Sequence, residues 1–63
     1  MTQAAAAERL AGRWVSLTAA AAHIGCARHV AYLALRALAR RGWRLESRPC
    51  GGKHREYRLT PPA

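Results

Sequence analysis

Acidic residues are nearly missing from this sequence, whose 63 residues include no aspartate and only three glutamates. The glutamates stand well apart along the chain, so no neighbouring carboxylate pair is available for acid–base chemistry, and a Ser-His-Asp triad lacks its aspartate. A glycine-rich phosphate-binding motif is missing too. Because the length suits one small domain, we predict a protein that is not an enzyme and has no cofactor and no small-molecule substrate.

Large apolar residues are also scarce. Phenylalanine is absent, leucine, isoleucine and valine together number ten, and 15 of the apolar residues are alanine. No apolar run is long enough to cross a membrane, and Met1 leads into Thr-Gln-Ala rather than into a signal sequence. The sequence therefore predicts a cytoplasmic protein with no membrane partner, whose two cysteines are free thiols.

Positive charge is plentiful and unevenly distributed. The chain has eleven basic residues, ten of them arginine, and a formal net charge of +8. Residues 27–63 carry nine of these bases, interleaved with leucine, tryptophan and tyrosine. That interleaving favours a folded basic surface over a disordered tail. The expected partner of such a surface is a polyanion such as nucleic acid.

Capping residues and periodicity predict three helices, at residues 2–11, 17–24 and 27–41. Thr2 caps the first helix and Gly12 stops it, whereas Ser16 caps the second, which ends at Gly25. One face of the third helix is followed at spacings of four, three and four by Ala31, Leu35, Leu38 and then Gly42, which ends the helix. The predicted buried residues are Ile24, Ala31, Leu35 and Leu38.

The period changes to two in residues 43–59, which predicts a β-hairpin with strands at 43–48 and 54–59, followed by a tail at 60–63. A glycine-rich turn, Pro49-Cys50-Gly51-Gly52-Lys53, joins the strands. The inner face of the hairpin is formed by Trp43, Leu45, Tyr57 and Leu59. Trp14 and Val15 form a short extended element before the second helix. We expect Trp14, Trp43 and Tyr57 to belong to the core.

This element order is that of an α+β fold, a small winged helix-turn-helix with three helices, a short first strand and a C-terminal hairpin wing. Winged helices of bacterial regulators have a turn glycine followed by apolar residues at fixed offsets, which are matched by Gly25, Ala31, Leu35, Leu38 and Gly42. Residues 14–61 also resemble the N-terminal DNA-binding domains of Mu-type phage transposases and repressors. The shared motifs are Trp14-Val15-Ser16, Gly42-Trp43, Gly51-Gly52-Lys53, Glu56-Tyr57, and Leu59 followed by Pro61. The turn of the second helix lacks the prolines of that family, and Pro61 is displaced by one residue from the family's Leu-Pro.

The resemblance implies a sequence-specific double-stranded DNA-binding protein of the bacterial cytoplasm, either a transcriptional regulator or a phage or mobile-element regulatory factor. Its recognition helix would lie in the major groove and its wing on the backbone or in the minor groove. Predicted DNA contacts on the helix point away from the buried face and are Arg28, His29, Tyr32 and Arg36. Those on the wing are Arg48, Lys53, His54 and Arg55, with Arg44 and Arg58 as further candidates.

Other interpretations stay open. One is a protein-interaction winged-helix module without specific DNA binding, similar to the FeoC-like winged proteins of iron transport, whose wings carry several cysteines where this one has Cys50 alone. RNA or single-strand binding is less favoured, because the aromatic residues are assigned to the core. Leu33 fits neither face of the third helix, which leaves packing on the first helix, contact with a thymine methyl group, or a dimer contact. A homodimer on DNA would increase specificity.

A zinc site is the one metal centre to consider. Cys26, His29, Cys50 and His54 have the right ligand types, with His23 nearby. One pair would lie at the helix turn and the other at the wing tip, too far apart for a single ion. We therefore predict no metal.

Overall fold

The computed structural model describes residues 2–62 and contains three helices and a three-stranded antiparallel sheet. The elements are α1 (Gln3–Glu8), β1 (Val15–Ser16), α2 (Leu17–Ile24), α3 (Arg28–Arg40), β2 (Arg44–Pro49) and β3 (Arg55–Thr60). In the sheet, β3 lies between β1 and β2. The predicted α+β class is confirmed, and the layout is compatible with a winged helix. Of the predicted tail at 60–63, Thr60 belongs to β3 and Ala63 lies outside the described residues, as does Met1.

A sharp turn at Gly25 joins α2 to α3. Helix α2 begins after Ser16, whose Oγ accepts a hydrogen bond from the Ala19 N–H at 3.1 Å, and it ends at Gly25 with a φ of 84°. Glycine adopts this left-handed conformation without the steric cost that a Cβ atom brings. The limits of α2 coincide with the predicted range, and α3 is one residue shorter at each end because Ala27 and Arg41 are cap residues.

Helix α1 ends at Glu8, three residues before the predicted limit. The chain then tightens, since the N–H groups of Leu10 and Ala11 donate to carbonyl oxygens three residues back, at 3.0 and 3.2 Å. This turn buries Leu10 and places Ala11 beside Leu59 of β3, whose carbonyl accepts a hydrogen bond from the Gly12 N–H at 2.8 Å. The helix is shorter than its local propensity indicates because contacts with β3 compete with its extension.

Strands β2 and β3 form a hairpin in which Leu45 pairs with Leu59 and Ser47 pairs with Tyr57. Because side chains alternate along a strand, one face carries these residues toward the helices. The opposite face, which we call the outer face, carries five of the six charged residues of the two strands: Arg44, Glu46, Arg48, Glu56 and Arg58. Each strand begins one residue later than predicted, which leaves His54 in the turn.

The core lies between α3 and the sheet. Its centre is a cluster of buried residues with a relative exposure of at most 7%: Ala7, Ala34, Leu35, Leu38 and Leu59. On the predicted face of α3, Ala31, Leu35 and Leu38 are buried, whereas Gly42 lies beyond the end of the helix and is exposed. Ala34 is a further buried position that the spacing did not predict. Trp43, Leu45 and Tyr57 are half-buried and pack against this cluster, as expected from their place on the inner hairpin face.

The expectation that Trp14 belongs to the core is wrong. Val15 pairs with Tyr57 and shares its face of the sheet, so the preceding residue points to the outer face. There the Trp14 ring contacts two guanidinium groups, with the Cζ atoms of Arg48 and Arg58 at 4.2 and 4.7 Å from the ring centroid. An indole with two cations on its faces is stabilised at a half-exposed position without entering the core.

Two leucines of α3 test this assignment of the core. Leu38 is fully buried, whereas Leu33 is 61% exposed. We expect Leu38→Ala to lower the free energy of unfolding by about 2–5 kcal/mol, because it leaves a cavity in a small core. Leu33→Ala, the matched control, should change it by less than about 0.5 kcal/mol. Urea unfolding followed by circular dichroism measures both, and comparable losses for the two variants would contradict the arrangement.

Candidate nucleic-acid interface

A groove runs between the starts of α2 and α3 and the turn of the β2–β3 hairpin. Two adjoining hollows form it and share Leu17, Arg28 and Tyr57. We call it the basic groove, and its lining consists of Ser16, Leu17, Thr18, Ala27, Arg28, His29, Tyr32, Lys53, His54, Arg55 and Tyr57. None of the three glutamates, all within residues 2–62, lines it. Its charged groups are therefore all cationic.

The start of α3 makes this groove more electropositive than its side chains alone. The first N–H groups of a helix lack partners within the helix and form the positive end of its dipole. Ala27 occupies the N-cap position and provides no side-chain hydrogen bond, and the first turn contains no acid. Instead, the first helical residue is Arg28, whose positive charge is repelled by the positive end of the helix dipole. This arrangement is unfavourable for the isolated domain and becomes favourable when an anion binds there.

Two tyrosines connect α3 to the hairpin at the floor of the groove. The rings of Tyr32 and Tyr57 meet edge to face with centroids 6.1 Å apart. One helical turn further on, the Arg36 Nη1 donates a hydrogen bond to the Tyr32 hydroxyl at 3.3 Å, and its Cζ lies 5.9 Å from that ring. The aromatic pair thus fixes the distance between helix and hairpin and orients Arg36 at the end of the groove.

The hairpin turn supplies the opposite wall. Residues 50–54 form the turn, closed by a hydrogen bond from the Cys50 N–H to the His54 carbonyl at 2.9 Å. Lys53 and His54 lie on it and are exposed. Arg55 begins β3 and donates from Nη2 to the Ser47 Oγ at 3.0 Å, which holds its guanidinium on the inner side of the hairpin. Lys53 and His54 of the turn and the adjoining Arg55 thus line the groove opposite the start of α3.

The outer face of the sheet has a different electrostatic character, because its arginines are paired. Arg48 donates from Nε to Glu56 Oε1 at 3.0 Å, and Arg58 donates from Nη2 to Glu46 Oε2 at 2.7 Å. Arg44 also approaches Glu46, with 3.7 Å between Nε and Oε1. Both hairpin glutamates are therefore paired with arginines on the outer face. Their negative charge is neutralised there and does not repel an anion in the groove.

The structure brings together six of the eight predicted contact residues: Arg28, His29, Tyr32, Lys53, His54 and Arg55. Arg36 adjoins them through Tyr32, and Arg48 lies on the outer face. Thr18 was not among the predicted contacts, nor was Ser16, which lines the groove besides capping α2. The sequence predicts Ser16 as the cap of α2, but the position of Ser16 beside the hairpin turn follows only from the tertiary fold.

The described residues contain neither a metal-binding cluster nor a membrane-spanning helix. Within residues 2–62, no three His, Cys, Asp or Glu side chains come together where they could hold a metal ion. Cys26 is half-buried, Cys50 is exposed, and both are free. In the same part of the chain, no helix has the length and apolar character needed to cross a membrane.

Comparison of the chain with protein-family models, curated proteins and solved structures finds no match in any of the three. The resemblance to DNA-binding domains of phage transposases and repressors accordingly stays a prediction.

The unfavourable position of Arg28 generates a stability prediction. Arg28→Glu should raise the free energy of unfolding by about 0.3–1 kcal/mol, because an acid at a helix N-terminus is attracted by the dipole. The matched control is Arg40→Glu at the last residue of α3, which makes the same change in net charge and should lower stability by a similar amount. Urea unfolding at low salt measures both, and the difference should shrink at high salt. Destabilisation of equal size in both variants would contradict the electrostatic account.

Proposed function

We propose that this chain is a winged helix-turn-helix protein that binds double-stranded DNA, with α3 as the recognition helix in the major groove and the β2–β3 hairpin as the wing on the backbone or in the minor groove. The observation that carries the proposal is the basic groove, in which the start of α3 and the hairpin turn present cations to one continuous surface without an acid. DNA is the anion that suits a surface of this extent, because its phosphates repeat along two strands.

The two walls of the groove suit different parts of a duplex. Helix α3 has 13 residues and is about 20 Å long, and the major groove of B-DNA is about 12 Å wide and admits one helix. With the first turns of α3 in that groove, the hairpin turn with Lys53, His54 and Arg55 lies beside the helix and meets the adjoining backbone. This is the docking geometry of winged helix-turn-helix proteins.

The residues divide into two kinds of contact. Arg28, at the uncapped start of α3, suits a phosphate, because N–H groups and a guanidinium converge there. Arg36, which Tyr32 orients, lies further along the exposed side of the helix and suits a base edge, where arginine donates two hydrogen bonds to guanine. Lys53 and Arg55 suit the backbone. The helix would then read the DNA sequence, and the phosphate contacts of both walls would set the register of the protein on the duplex.

The biological role follows from what such a module does. A small cytoplasmic protein that recognises a duplex sequence acts by occupying that site, as a transcriptional regulator or a regulatory factor of a phage or mobile element. The alternative, a partner-binding module without specific DNA binding, predicts that the basic groove has no function in binding duplexes.

Salt dependence provides the test. With Arg28, Arg36, Lys53 and Arg55 as phosphate or base-edge cations, the logarithm of the association constant should fall with the logarithm of salt at a slope of about −3 to −4. Affinity would then decrease about a hundredfold between about 50 and 200 mM salt. Fluorescence anisotropy with a labelled duplex measures the slope, and Lys53→Ala should reduce its magnitude by about one.

Arg9→Ala is the matched control, because it removes one exposed charge from the end of α1, outside the basic groove. It should leave the slope unchanged. Equal slopes for the Lys53 and Arg9 variants would mean that binding depends on net charge alone. No duplex binding even at low salt would overturn the proposal in favour of a partner-binding module, and competition by RNA as strong as by duplex would favour single-strand binding.

A further inference from the structure

The exposed side of α3 carries a stripe of four residues directly opposite the core. The stripe consists of His29, Leu33, Arg36 and Arg40, at spacings of four, three and four. The buried residues Ala31, Leu35 and Leu38 follow the first three residues of the stripe by two positions each, and two residues turn a helix by about 200°. All four residues of the stripe are exposed. The outermost face of the helix is thus basic except at its centre, where a leucine stands.

Leu33 is the exposed large hydrophobic residue of the described chain, with 61% of its surface accessible. It is not among the residues of the core or those packed against it. Packing on α1, one of the three roles open from the sequence, is therefore wrong. A second copy of the chain or an apolar group on a nucleic acid is left as the occupant of this position.

Charge argues against a second copy. A symmetric contact between two α3 helices would bring the basic residues of both stripes together around Leu33, and the stripe contains no acid to offset them. The apolar part of the stripe is a single leucine, whereas stable interfaces bury about 1,000 Å² or more with an apolar centre. A polyanion with apolar groups between its charges fits the stripe better.

We infer that Leu33 contacts the C5-methyl group of a thymine in the major groove. This inference rests on the proposed function and names a residue that determines specificity there. The thymine methyl is the apolar group among the base edges of that groove, and contact with an apolar side chain is how proteins read it. His29 and Arg36 flank Leu33 along the stripe and suit the neighbouring polar edges and phosphates. Leu33 would thus add a thymine preference between polar contacts.

The experiment removes the methyl group and the leucine separately. A preferred site is first selected from a random duplex pool with the full chain. Each thymine of that site is then replaced by deoxyuridine, which lacks only the methyl group, and dissociation constants are measured for the natural chain and for Leu33→Ala. We expect the natural chain to lose about fourfold in affinity at one or two thymines, the effect of one buried methyl group. Leu33→Ala should bind the selected site more weakly than the natural chain does. Replacing the sensitive thymines by deoxyuridine should not weaken its binding further.

Leu33→Met is the matched control, since it keeps an apolar side chain on the stripe and should retain the sensitivity to deoxyuridine. Equal losses at the same thymines for the natural chain and Leu33→Ala would overturn the inference and leave the proposed function intact. So would a selected site in which no thymine is sensitive. Self-association of the natural chain that Leu33→Ala abolishes would overturn it in favour of a second copy. Failure to bind any duplex would overturn the proposed function as well.

Discussion

The contact of Leu35 and Leu38 with Leu59 is the interaction on which the rest of the structure depends. It joins the longest helix to the central strand of the sheet, in a chain with only ten leucine, isoleucine and valine residues in total. The buried residues of the other two helices are all alanines, whose small side chains allow close approach. Because α3 is fixed at this point, its first turn lies beside the hairpin turn, and the basic groove exists only as a consequence.

Charge is segregated by the same sheet. Residues of β2 and β3 that point inward pack on the helices, and those that point outward form ion pairs in which both hairpin glutamates are engaged. The acids therefore neutralise arginines on the side away from the groove. Arg28, Lys53 and Arg55 in the groove are thereby left without an acid beside them. The uncapped start of α3, with an arginine as its first residue, departs from what helix stability favours, and such departures are expected at functional sites.

Local signals in the sequence were sufficient for the regular elements. The spacing from Ala31 to Leu38 predicts the buried face of α3, and alternation predicts which hairpin residues face the helices, because both periods follow from backbone geometry. The end of α1 was not predictable in this way, since Ala11 and Gly12 pair with Leu59, which is far away in sequence. Trp14 was assigned to the wrong face because a strand of two residues provides no alternation to follow. The start of α3 and the hairpin turn were each predicted to carry contact residues, but that they lie side by side in one groove follows only from the tertiary fold.

The position of β2 in the sheet has a consequence for the behaviour of the protein in a crowded cell. This strand pairs with β3 on one side only, so its other edge presents free backbone groups that another chain could extend. Pro49 offers no N–H there, and the exposed Arg44 and Arg48 add charge along the strand. Proline and charged residues on an edge strand oppose pairing with a second sheet. The arginines of the outer face thus protect a domain with a very small core from aggregation through its open edge.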